Sequence, residues 1–387
     1  MKNIDQNNHK QMHLGDPQGI DPAWTVAVIA NLKDEFIPNT DDPPDAGAEF
    51  DRIETIQSIT EALESGGHQV HFLNADSRLP GALMRLQPDI CFNFAEGIQG
   101  DSREAQVPAL CELLGIPYTA SRVLPNAISL DKTITKRIWR DHGLPTAPFK
   151  QIDDLKDLDD LDLNFPLFVK PAREGTGMGI DEGSLVHNFD QLTARVAWLL
   201  KSYRQPAIVE EFLPGREFTV GFFGNHGSPA ERHRPDLYDP TGYHWLPILE
   251  IGLAGSVSPT VYGHDAKSID IGAEGAPAYL CPADIPQSLA EKLIDLTRKA
   301  SEALNACDIS RVDFRMGSDG EPYLLEINTL PGLNPAISDI CIMADAEGLA
   351  YNTLILEILY LAAERFGMTI PVGQQPVQIP VSDFIQY

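Results

Sequence analysis

The pattern between residues 25 and 73 places the tightest limit on the fold. Thr25–Ala30 is a short run of apolar and β-branched residues, which is typical of a buried strand. Apolar residues then recur at helical spacing over residues 53–63, and a second strand-like run follows at His68–Leu73. Because a strand, a helix and a strand in succession favour a parallel sheet, we predict an α/β fold for the N-terminal part of the chain.

The remaining elements follow from the same kinds of pattern. The length of 387 residues indicates two or three domains at about 150 residues each. The polar start of the chain, residues 1–22, is predicted to be a flexible arm. Further strands are predicted at 89–94, 165–170, 207–212, 311–316 and 323–328, helices at 105–114, 190–203, 286–307 and 352–366, and a long loop at 226–243.

The charge of the chain limits its partners. Lys and Arg number 29 and Asp and Glu number 56, so the net charge is −27. A surface this acidic repels phosphate backbones, and we therefore expect no nucleic-acid partner. No apolar run reaches the roughly 18 residues of a spanning helix, and the first residues lack the apolar middle of a signal peptide. We predict a cytoplasmic protein with no membrane partner.

A glycine-rich stretch follows one of the predicted strands. Residues 170–179 read KPAREGTGMG, so that a lysine precedes three closely spaced glycines. Glycines let backbone N–H groups approach a polyanion, and the ammonium group of Lys170 adds a charge for phosphate. The stretch matches neither the P-loop nor the dinucleotide-binding pattern. A phosphate-binding loop and an ordinary hairpin turn both remain open on this pattern alone.

The predicted hairpin at residues 311–328 carries several charged side chains. Alternation along a strand places Arg311 and Asp313 on one face, and Glu326 and Asn328 on one face of the partner strand. Neighbouring acids are costly to bury unless a cation joins them, and carboxylate and amide oxygens suit Mg²⁺. The pattern therefore indicates a metal site, with a solvated face and an Arg–Asp pair as the alternative.

A third stretch, residues 209–217, places carboxylates on both sides of an apolar pair and a turn. This arrangement suits an edge where an adenine stacks and a ribose hydroxyl finds an acceptor, although the pattern is weak by itself. Other chemistries lack their patterns: no serine lies in GxSxG, and the ten histidines show no HExxH spacing. Serine-hydrolase and zinc-protease sites of these kinds are therefore not indicated.

Taken in chain order, these motifs and several others resemble the D-alanine–D-alanine ligase family of the ATP-grasp superfamily. The resemblance runs from about residue 25 to about residue 361. The stretches that carry it are residues 115–121 (GIPYTAS), 131–136 (DKTITK), 143–146 (GLPT), 165–171 (FPLFVKP), 174–179 (EGTGMG), 210–217 (EEFLPGRE), 264–267 (HDAK), 311–314 (RVDF) and 326–332 (EINTLPG).

This resemblance implies a three-domain ATP-grasp fold in the α/β (α+β) class, with ATP held between the central and C-terminal domains. The implied divisions are a flexible arm at 1–22, an N-terminal parallel α/β domain at 23–127, a central domain at 128–205 and a C-terminal domain at 206–387. The family also suggests a homodimer.

The resemblance further implies roles for individual residues. Lys132 and Lys170 match phosphate-binding lysines, and Lys267 matches the lysine that reaches the γ-phosphate. Arg311 matches the arginine that stabilises the tetrahedral intermediate, with Glu174 and Thr176 also assigned to the catalytic group. The residues that match adenine and ribose contacts are Glu210, Glu211, Phe212, Leu213 and Glu217. The residues that match ligands of two Mg²⁺ or Mn²⁺ ions are Asp313, Glu326 and Asn328.

The departures from the family pattern lie in the amino-acid pockets. Glu96 stands where the family has a histidine, and Ser268 stands where it has a tyrosine. Ile337 replaces the serine that grips the second carboxylate, with Ser338 one place later. The candidate substrate residues are Glu49, Glu96, Ser268, Gly332 and Ser338. The residues that match the family's ATP site are thus retained, whereas those at the positions of the substrate pockets differ.

From these residues we predict an ATP-dependent carboxylate–amine ligase that joins two small amino-acid-like substrates through an acyl phosphate. One alternative is a true D-alanine–D-alanine ligase, which the rewritten pockets disfavour. The alternative from another class is a nucleotide-binding module without catalysis, which need not keep Arg311 or the predicted metal ligands.

Overall fold

A computed structural model of the chain describes residues 24–371, apart from 39, 41, 229, 231, 255, 257–260, 264–268 and 270–272. The predicted arm at residues 1–22 lies outside the described residues, and so do the predicted site residues Lys267 and Ser268. The described strands form three sheets, which follow one another along the chain.

The N-terminal sheet is parallel, as the strand–helix–strand pattern predicts. Its elements are β1 (Thr25–Ala30), α1 (Ile53–Ser65), β2 (Gln69–Asn74), α2 (Leu79–Leu86), β3 (Ile90–Asn93) and α3 (Gln106–Leu114), with the strand order β2-β1-β3. Helices cover both faces of this sheet. Val26 and Val28 of β1 pack in one core with α1, whereas Ala27 and Ile29 pack in a second core with α2 and α3. This double burial explains why β1 is apolar almost throughout.

The central sheet has four antiparallel strands. Its elements, preceded by α4 (Val123–Leu130) and α5 (Lys132–Asp141), are β4 (Phe149–Ile152), β5 (Leu167–Pro171), β6 (Leu185–Val186), α6 (Phe189–Tyr203) and β7 (Ala207–Glu211). The strand order is β4-β7-β5-β6. Leu192 and Val196 of α6 pack on Val169 and Val209 of the sheet. Because β7 belongs to this sheet, the central unit extends past the predicted boundary at residues 205–206.

The C-terminal sheet has six antiparallel strands. Its elements are β8 (Glu217–Gly224), β9 (Tyr243–Trp245), β10 (Leu249–Gly252), β11 (Ala278–Leu280), α7 (Gln287–Leu304), β12 (Ile309–Met316) and β13 (Pro322–Asn328), followed by α8 (Asp339–Ala346) and α9 (Tyr351–Arg365). The strand order is β11-β10-β8-β12-β13, with β9 on β8. The central strand β8 is buried at every position. The predicted hairpin of β12 and β13 is present.

The last described helix returns to the start of the chain. Residues of α9 such as Leu356 share a core with α1 and β1 rather than closing the C-terminal sheet alone. At the end of α1, a Cβ built on Gly66 would lie 2.5 Å from Leu356 Cδ2, so any larger residue there would require the Leu356 side chain to shift. The predicted domain bounds therefore remain predictions, since the C-terminal segment also builds the N-terminal core.

Two segments differ from the patterns that the sequence suggests. Residues 132–141 are predicted only as part of a motif, yet they form helix α5, which is capped by Asp131, whose carboxylate accepts the backbone N–H groups of Thr133 and Ile134. The predicted loop at 226–243 contains a short 3₁₀ turn at Pro235–Leu237 and ends where β9 begins. Among the described residues, no helix is long and apolar enough to cross a membrane.

Candidate active site

A cleft lies between the central and C-terminal sheets. Strands β5 and β7 form one side, and β8, β12 and β13 form the other. Ten of the predicted site residues line this cleft, namely Lys132, Lys170, Glu174, Glu210, Glu211, Phe212, Leu213, Glu217, Asp313 and Glu326. The structure therefore brings together residues that lie almost 200 positions apart in the sequence.

Two lysines hold the carboxylate of Glu210 at the base of the cleft. Lys170 Nζ lies 2.9 Å from Glu210 Oε1, and Lys136 Nζ lies 2.9 Å from Glu210 Oε2. Although burial favours the neutral acid, the two ammonium groups outweigh it and lower the pKa of Glu210 to about 2. Lys136, which sequence reasoning missed, is fully buried and also donates to Thr146 Oγ1 and the Leu324 carbonyl oxygen.

Lys132 joins the glycine-rich loop to the hairpin. Its ammonium group donates to the backbone carbonyl of Glu174 and lies 3.3 Å from Glu326 Oε2. Its own backbone N–H donates to the Ala172 carbonyl oxygen at 2.9 Å. Since Lys132 is the first residue of α5, the N-cap at Asp131 fixes where its side chain starts. This lysine therefore contacts both walls of the cleft.

The hairpin presents its polar side chains on one face. Asp313 pairs with Glu326 across the ladder, and Arg311 pairs with Asn328. Thr219 Oγ1 on β8 donates to Asp313 Oδ1 at 2.9 Å. The ladder register shifts directly after Asp313, so that Phe314 pairs with Leu324. Two carboxylates and an amide thus lie within cross-strand reach of each other, as the alternation of residues predicts.

Arg311 lies beside the metal-ligand candidates and is held by two acids. Its guanidinium contacts Asp339 and lies 3.4 Å from Asp313 Oδ2. Burial opposes the charge, but the two carboxylates hold the pKa of Arg311 well above its usual range. Asp339 opens α8 directly after Ser338. Sequence reasoning missed Asp339 because it compared this segment only with the family's serine position.

The wall of the cleft near residues 210–217 contains aromatic rings, and charged side chains of the protein contact this wall. The rings of Phe168 and Phe212 stack with centroids 6.4 Å apart, and the Arg315 guanidinium lies 4.9 Å from the Phe212 centroid. Arg315 also lies 3.6 Å from Glu217 Oε2. The Glu211 carboxylate accepts the backbone and side-chain N–H groups of Asn164. A flat apolar slot with acidic edges is therefore present.

The glycine-rich loop is held by carboxylates from the N-terminal region. Gly175 N–H donates to Glu49 Oε1 at 2.5 Å, and Gly179 N–H donates to Asp45 Oδ2 at 2.7 Å. Thr176, at φ 48°, lies exposed in this loop and does not line the cleft. The sequence-predicted Glu49 is thus a partner of the loop, while Asp45 had no signal that singled it out.

The other substrate candidates lie on a tight turn after β13. Ser338 Oγ accepts the backbone N–H of Asn334 at 2.9 Å. A Cβ built on Gly332 would lie 2.9 Å from Ser338 Oγ, so a side chain there would require the Ser338 hydroxyl to move. The Ile337 side chain is 43% exposed. Ser338 is therefore engaged in shaping the turn.

Five carboxyl groups lie near one another beside the glycine-rich loop, and two of them contact Arg103. We call this group the carboxylate cluster, and its members are Glu49, Asp51, Glu96, Glu104 and Glu174. Arg103 Nη2 lies 2.7 Å from Glu49 Oε2 and 2.9 Å from Glu174 Oε2. Burial raises the pKa of Asp51, Glu104 and Glu174 to about 7 each, and raises that of Glu96 well above its ordinary value. Sequence reasoning found neither Arg103 nor Glu104, which lie just before α3.

Comparison with known families decides the assignment. A family model described as "D-ala D-ala ligase C-terminus" matches residues 138–360, which is more than half of the chain. The chain belongs to the D-alanine–D-alanine ligase family. It is an ATP-grasp ligase of this type, so the alternative of a non-catalytic nucleotide-binding module is not retained.

Curated relatives of the chain match it over most of their own lengths. "Uncharacterized protein y4sG" of Sinorhizobium fredii is 34% identical over 80% of this chain and 87% of its own. The D-alanine–D-alanine ligases of Bordetella petrii and Aquifex aeolicus are 31% and 30% identical, each over 79% of this chain and over 86% and 94% of their own lengths.

A solved structure confirms the predicted fold class. The D-alanine–D-alanine ligase of Bacillus anthracis, complexed with ATP, matches with a TM-score of 0.62 over 89% of this chain and 98% of that chain. Its sequence identity is 21%, so the match concerns the fold alone. The parallel N-terminal sheet and the two antiparallel sheets described above agree with this relationship.

Proposed function

We propose that the protein is an ATP-dependent carboxylate–amine ligase that joins two small amino-acid-like substrates through an acyl phosphate. The observation that carries this proposal is the cleft itself, where Lys132 and Lys170 face Asp313 and Glu326 across the space between two sheets. Lysines on one wall and carboxylates on the other suit a polyphosphate and its divalent cation.

The side chains that line the cleft have the chemistry for ATP. The Phe168–Phe212 pair offers an apolar wall for a base, and Glu217 offers an acceptor for a ribose hydroxyl. The ATP-bound relative of Bacillus anthracis supports this placement through its shared fold.

The residues on the hairpin fit a hard divalent cation. Asp313, Glu326 and Asn328 would hold Mg²⁺ or Mn²⁺, because all three supply oxygen and share one face of the β12–β13 ladder. A pair of such ions, when bound, neutralises charge on the phosphate oxygens. The nearby Lys132 ammonium adds a cation that is already held at Glu326.

The chemistry proceeds in two transfers. A substrate carboxylate oxygen attacks the γ-phosphorus, the bond to ADP breaks, and an acyl phosphate forms. The amine of the second substrate then attacks the acyl carbon, loses a proton and expels phosphate. Arg311 donates to the oxyanion that develops in this step, and its contacts with Asp313 and Asp339 fix its orientation beforehand.

The departures in the substrate pockets support substrates other than two D-alanines. Glu96 brings an acid where the family has histidine, and Ile337 stands where the family has the serine that grips the second carboxylate. Losing one hydrogen bond to a charged carboxylate costs about 1.5–3 kcal/mol, or roughly 10- to 150-fold in affinity. The names of the Bordetella and Aquifex relatives favour the alternative, a true D-alanine–D-alanine ligase.

Phosphate release with ATP and Mg²⁺ tests the proposal across pairs of D- and L-amino acids, hydroxy acids and amines. We expect release to depend on two added substrates, with a pair other than D-alanine plus D-alanine giving the highest kcat/KM. A kcat/KM for the D-alanine pair above that of every other pair would establish the alternative. No substrate-dependent release with any pair would refute the ligase chemistry.

A further inference from the structure

The glycine-rich loop lies between two cavities. Gly177 and Ile180 line the nucleotide cleft on one side of the loop. Met178 lines a second cavity on the other side, together with Tyr203 of α6 and Glu49 of the N-terminal region. The loop therefore has a front that faces the nucleotide cleft and a back that faces the N-terminal part of the chain.

Asp45 contacts the back of the loop beside Tyr203. Its Oδ2 atom accepts the backbone N–H of Gly179 at 2.7 Å. The Tyr203 hydroxyl, which donates to the same carboxylate, lies 2.8 and 2.9 Å from its two oxygens. Burial and the hydrogen bond to Asp45 raise the pKa of Tyr203, so the hydroxyl keeps its proton and remains a donor. The Asp45 carboxylate thus joins the end of the loop to the last residue of α6.

The backbone at Gly179 is buried and closely surrounded. A Cβ built on this residue, whose φ is 67°, would lie 2.5 Å from Pro171 Cγ and 3.0 Å from Tyr203 Cζ. The Gly179 carbonyl oxygen accepts from Arg195 Nη2 at 2.6 Å, and its N–H donates to Asp45. Removing the Asp45 carboxylate would leave a buried N–H without its acceptor, which favours other conformations of the loop.

The same segment also holds the other end of the loop. Glu49, four residues after Asp45, accepts the backbone N–H of Gly175 at 2.5 Å. Both acids lie in a series of hydrogen-bonded turns over residues 43–50. Between them, Ala48 packs against the core of the central sheet. One N-terminal segment therefore fixes both ends of the glycine-rich loop.

The front of the loop has the backbone shape of an anion site. Thr176 and Gly177 have φ values of 48° and 72°, and the Met178 N–H donates to the Gly175 carbonyl oxygen at 2.9 Å. Backbone N–H groups in such turns form concave sites for anions. Neither carboxylate of the segment is among the described residues that line the nucleotide cleft. Asp45 therefore orders the loop without taking the place of a phosphate.

We propose that Asp45 is a positioning residue for the nucleotide phosphates, which acts through the Gly179 N–H and the glycine-rich loop. This inference rests on the proposed function, which places ATP in the cleft beside the loop. Without Asp45, part of the cost of ordering the loop would fall on nucleotide binding and lower the apparent affinity. Nucleotide affinity thus depends on a residue outside both sheets that form the cleft.

Isothermal titration of the full-length protein tests this role with two probes. One is the non-hydrolysable ATP analogue AMP-PNP with Mg²⁺, and the other is adenosine, which lacks the phosphates. Asp45→Ala should weaken AMP-PNP binding about 10-fold or more and leave adenosine binding unchanged, because the loop acts on the phosphates alone.

Two further variants show whether the hydrogen bond to Gly179 is responsible. Asp45→Asn should keep most of the AMP-PNP affinity, because its amide oxygen can accept the Gly179 N–H and its amide nitrogen can donate to the Tyr203 hydroxyl. Asp34→Ala, at an exposed position of the N-terminal region, is the matched control and should bind both probes normally. If Asp45→Ala does not fold, Tyr203→Phe replaces it and should weaken AMP-PNP binding less strongly, again without an effect on adenosine.

Three results would overturn the positioning role while the unmodified protein still prefers AMP-PNP over adenosine. AMP-PNP affinity could stay unchanged in Asp45→Ala, both probes could weaken alike as a merely structural role requires, or Asp45→Asn could bind as weakly as Asp45→Ala. Failure of the proposed function gives a different result. The unmodified protein would then bind adenosine as tightly as AMP-PNP, and the phosphate site and its positioning residue would both be refuted.

Discussion

The nucleotide cleft and the carboxylate cluster are neighbours that handle charge in opposite ways. In the cleft, each buried carboxylate for which the structure gives a contact faces a cation, as Glu210 faces Lys136 and Lys170. In the cluster, Arg103 contacts Glu49 and Glu174, while burial raises the pKa of Asp51, Glu96 and Glu104. The cleft thus pairs its buried acids with cations, whereas in the cluster burial favours the protonated form of several acids.

Two glutamates show the contrast most directly. Glu210 and Glu104 are both buried, with 3% and 9% exposure. Burial raises the pKa of each, yet two lysines reverse the shift at Glu210, to about 2, while Glu104 stays at about 7. Burial alone therefore does not decide protonation in this site: the charges of Arg103 and Lys132 also act on Glu104, but the neighbouring acids Glu49 and Glu174 oppose them.

The largest expected effect concerns the hairpin. Glu326→Gln should lower turnover about 1,000-fold or more while the circular dichroism spectrum stays unchanged, because the change removes one negative ligand from the proposed metal site. Glu321→Gln, an exposed position at the turn of the same hairpin, is the control and should keep its activity. Full activity in Glu326→Gln would identify the hairpin as an ordinary polar face.

The second-largest expected effect concerns the charge balance at Glu210. Lys136→Met should destabilise the protein by about 3–5 kcal/mol, because it breaks a buried pair and leaves part of the Glu210 charge uncompensated. Denaturant unfolding measures this change, with the exposed Lys156→Met as control. Adding Glu210→Gln should recover part of the loss. A loss that stays the same in the double variant would show that the pair is not coupled.

A smaller effect is expected for the two cleft lysines. Lys170→Ala and Lys132→Ala should each weaken ATP binding by roughly 10- to 150-fold, since each removes a charge that faces phosphate. Isothermal titration measures the affinity, and Lys156→Ala on the surface should bind ATP normally. Unchanged affinity in both variants would mean that the cleft does not hold the nucleotide phosphates.

The smallest effect is a pH-dependent difference in stability. Since burial raises the pKa of Glu104 from 4.5 to about 7, the folded state holds a proton there that the unfolded state releases. The stabilisation of the folded state by this proton is fully present below pH 4.5 and is lost as the pH rises through 7. As the pH rises from 5 to 8, the Tm of the Glu104→Gln variant should therefore rise by a few degrees relative to the Tm of the unmodified protein. Differential scanning fluorimetry measures this difference. A constant Tm difference over this range contradicts the raised pKa.

Local patterns in the sequence predicted the local parts of the fold. The hairpin of β12 and β13 follows from strand alternation and the Ser318–Gly320 turn, and its observed bounds differ by at most two residues from those predicted. In contrast, β8 and β10 were not predicted, because their pairing partners lie far away in the sequence and β8 is buried without alternation. Long-range pairing, rather than local propensity, determines those strands.

The candidate site also contains residues that the sequence predicted and residues that it did not. Its motif residues were found because glycines, lysines and paired acids stand close together in the sequence. Lys136 was missed because a lysine on an amphipathic helix is normally solvated, and only the fold reveals that it contacts Glu210. Glu104 was missed because nothing in its neighbourhood distinguishes a buried acid from an exposed one. The catalytic and binding roles of the predicted site residues remain predictions.

The β12 strand has a consequence for how such an enzyme can change its substrate. Arg311 and Asp313 stand two residues apart on one strand, a spacing of about 7 Å that the backbone fixes. Changes in the loops around the substrate pockets do not alter this distance. Side chains such as Glu96 or Ile337 can therefore change with the substrate, while the distance between Arg311 and Asp313, the proposed oxyanion donor and the proposed metal ligand, stays the same.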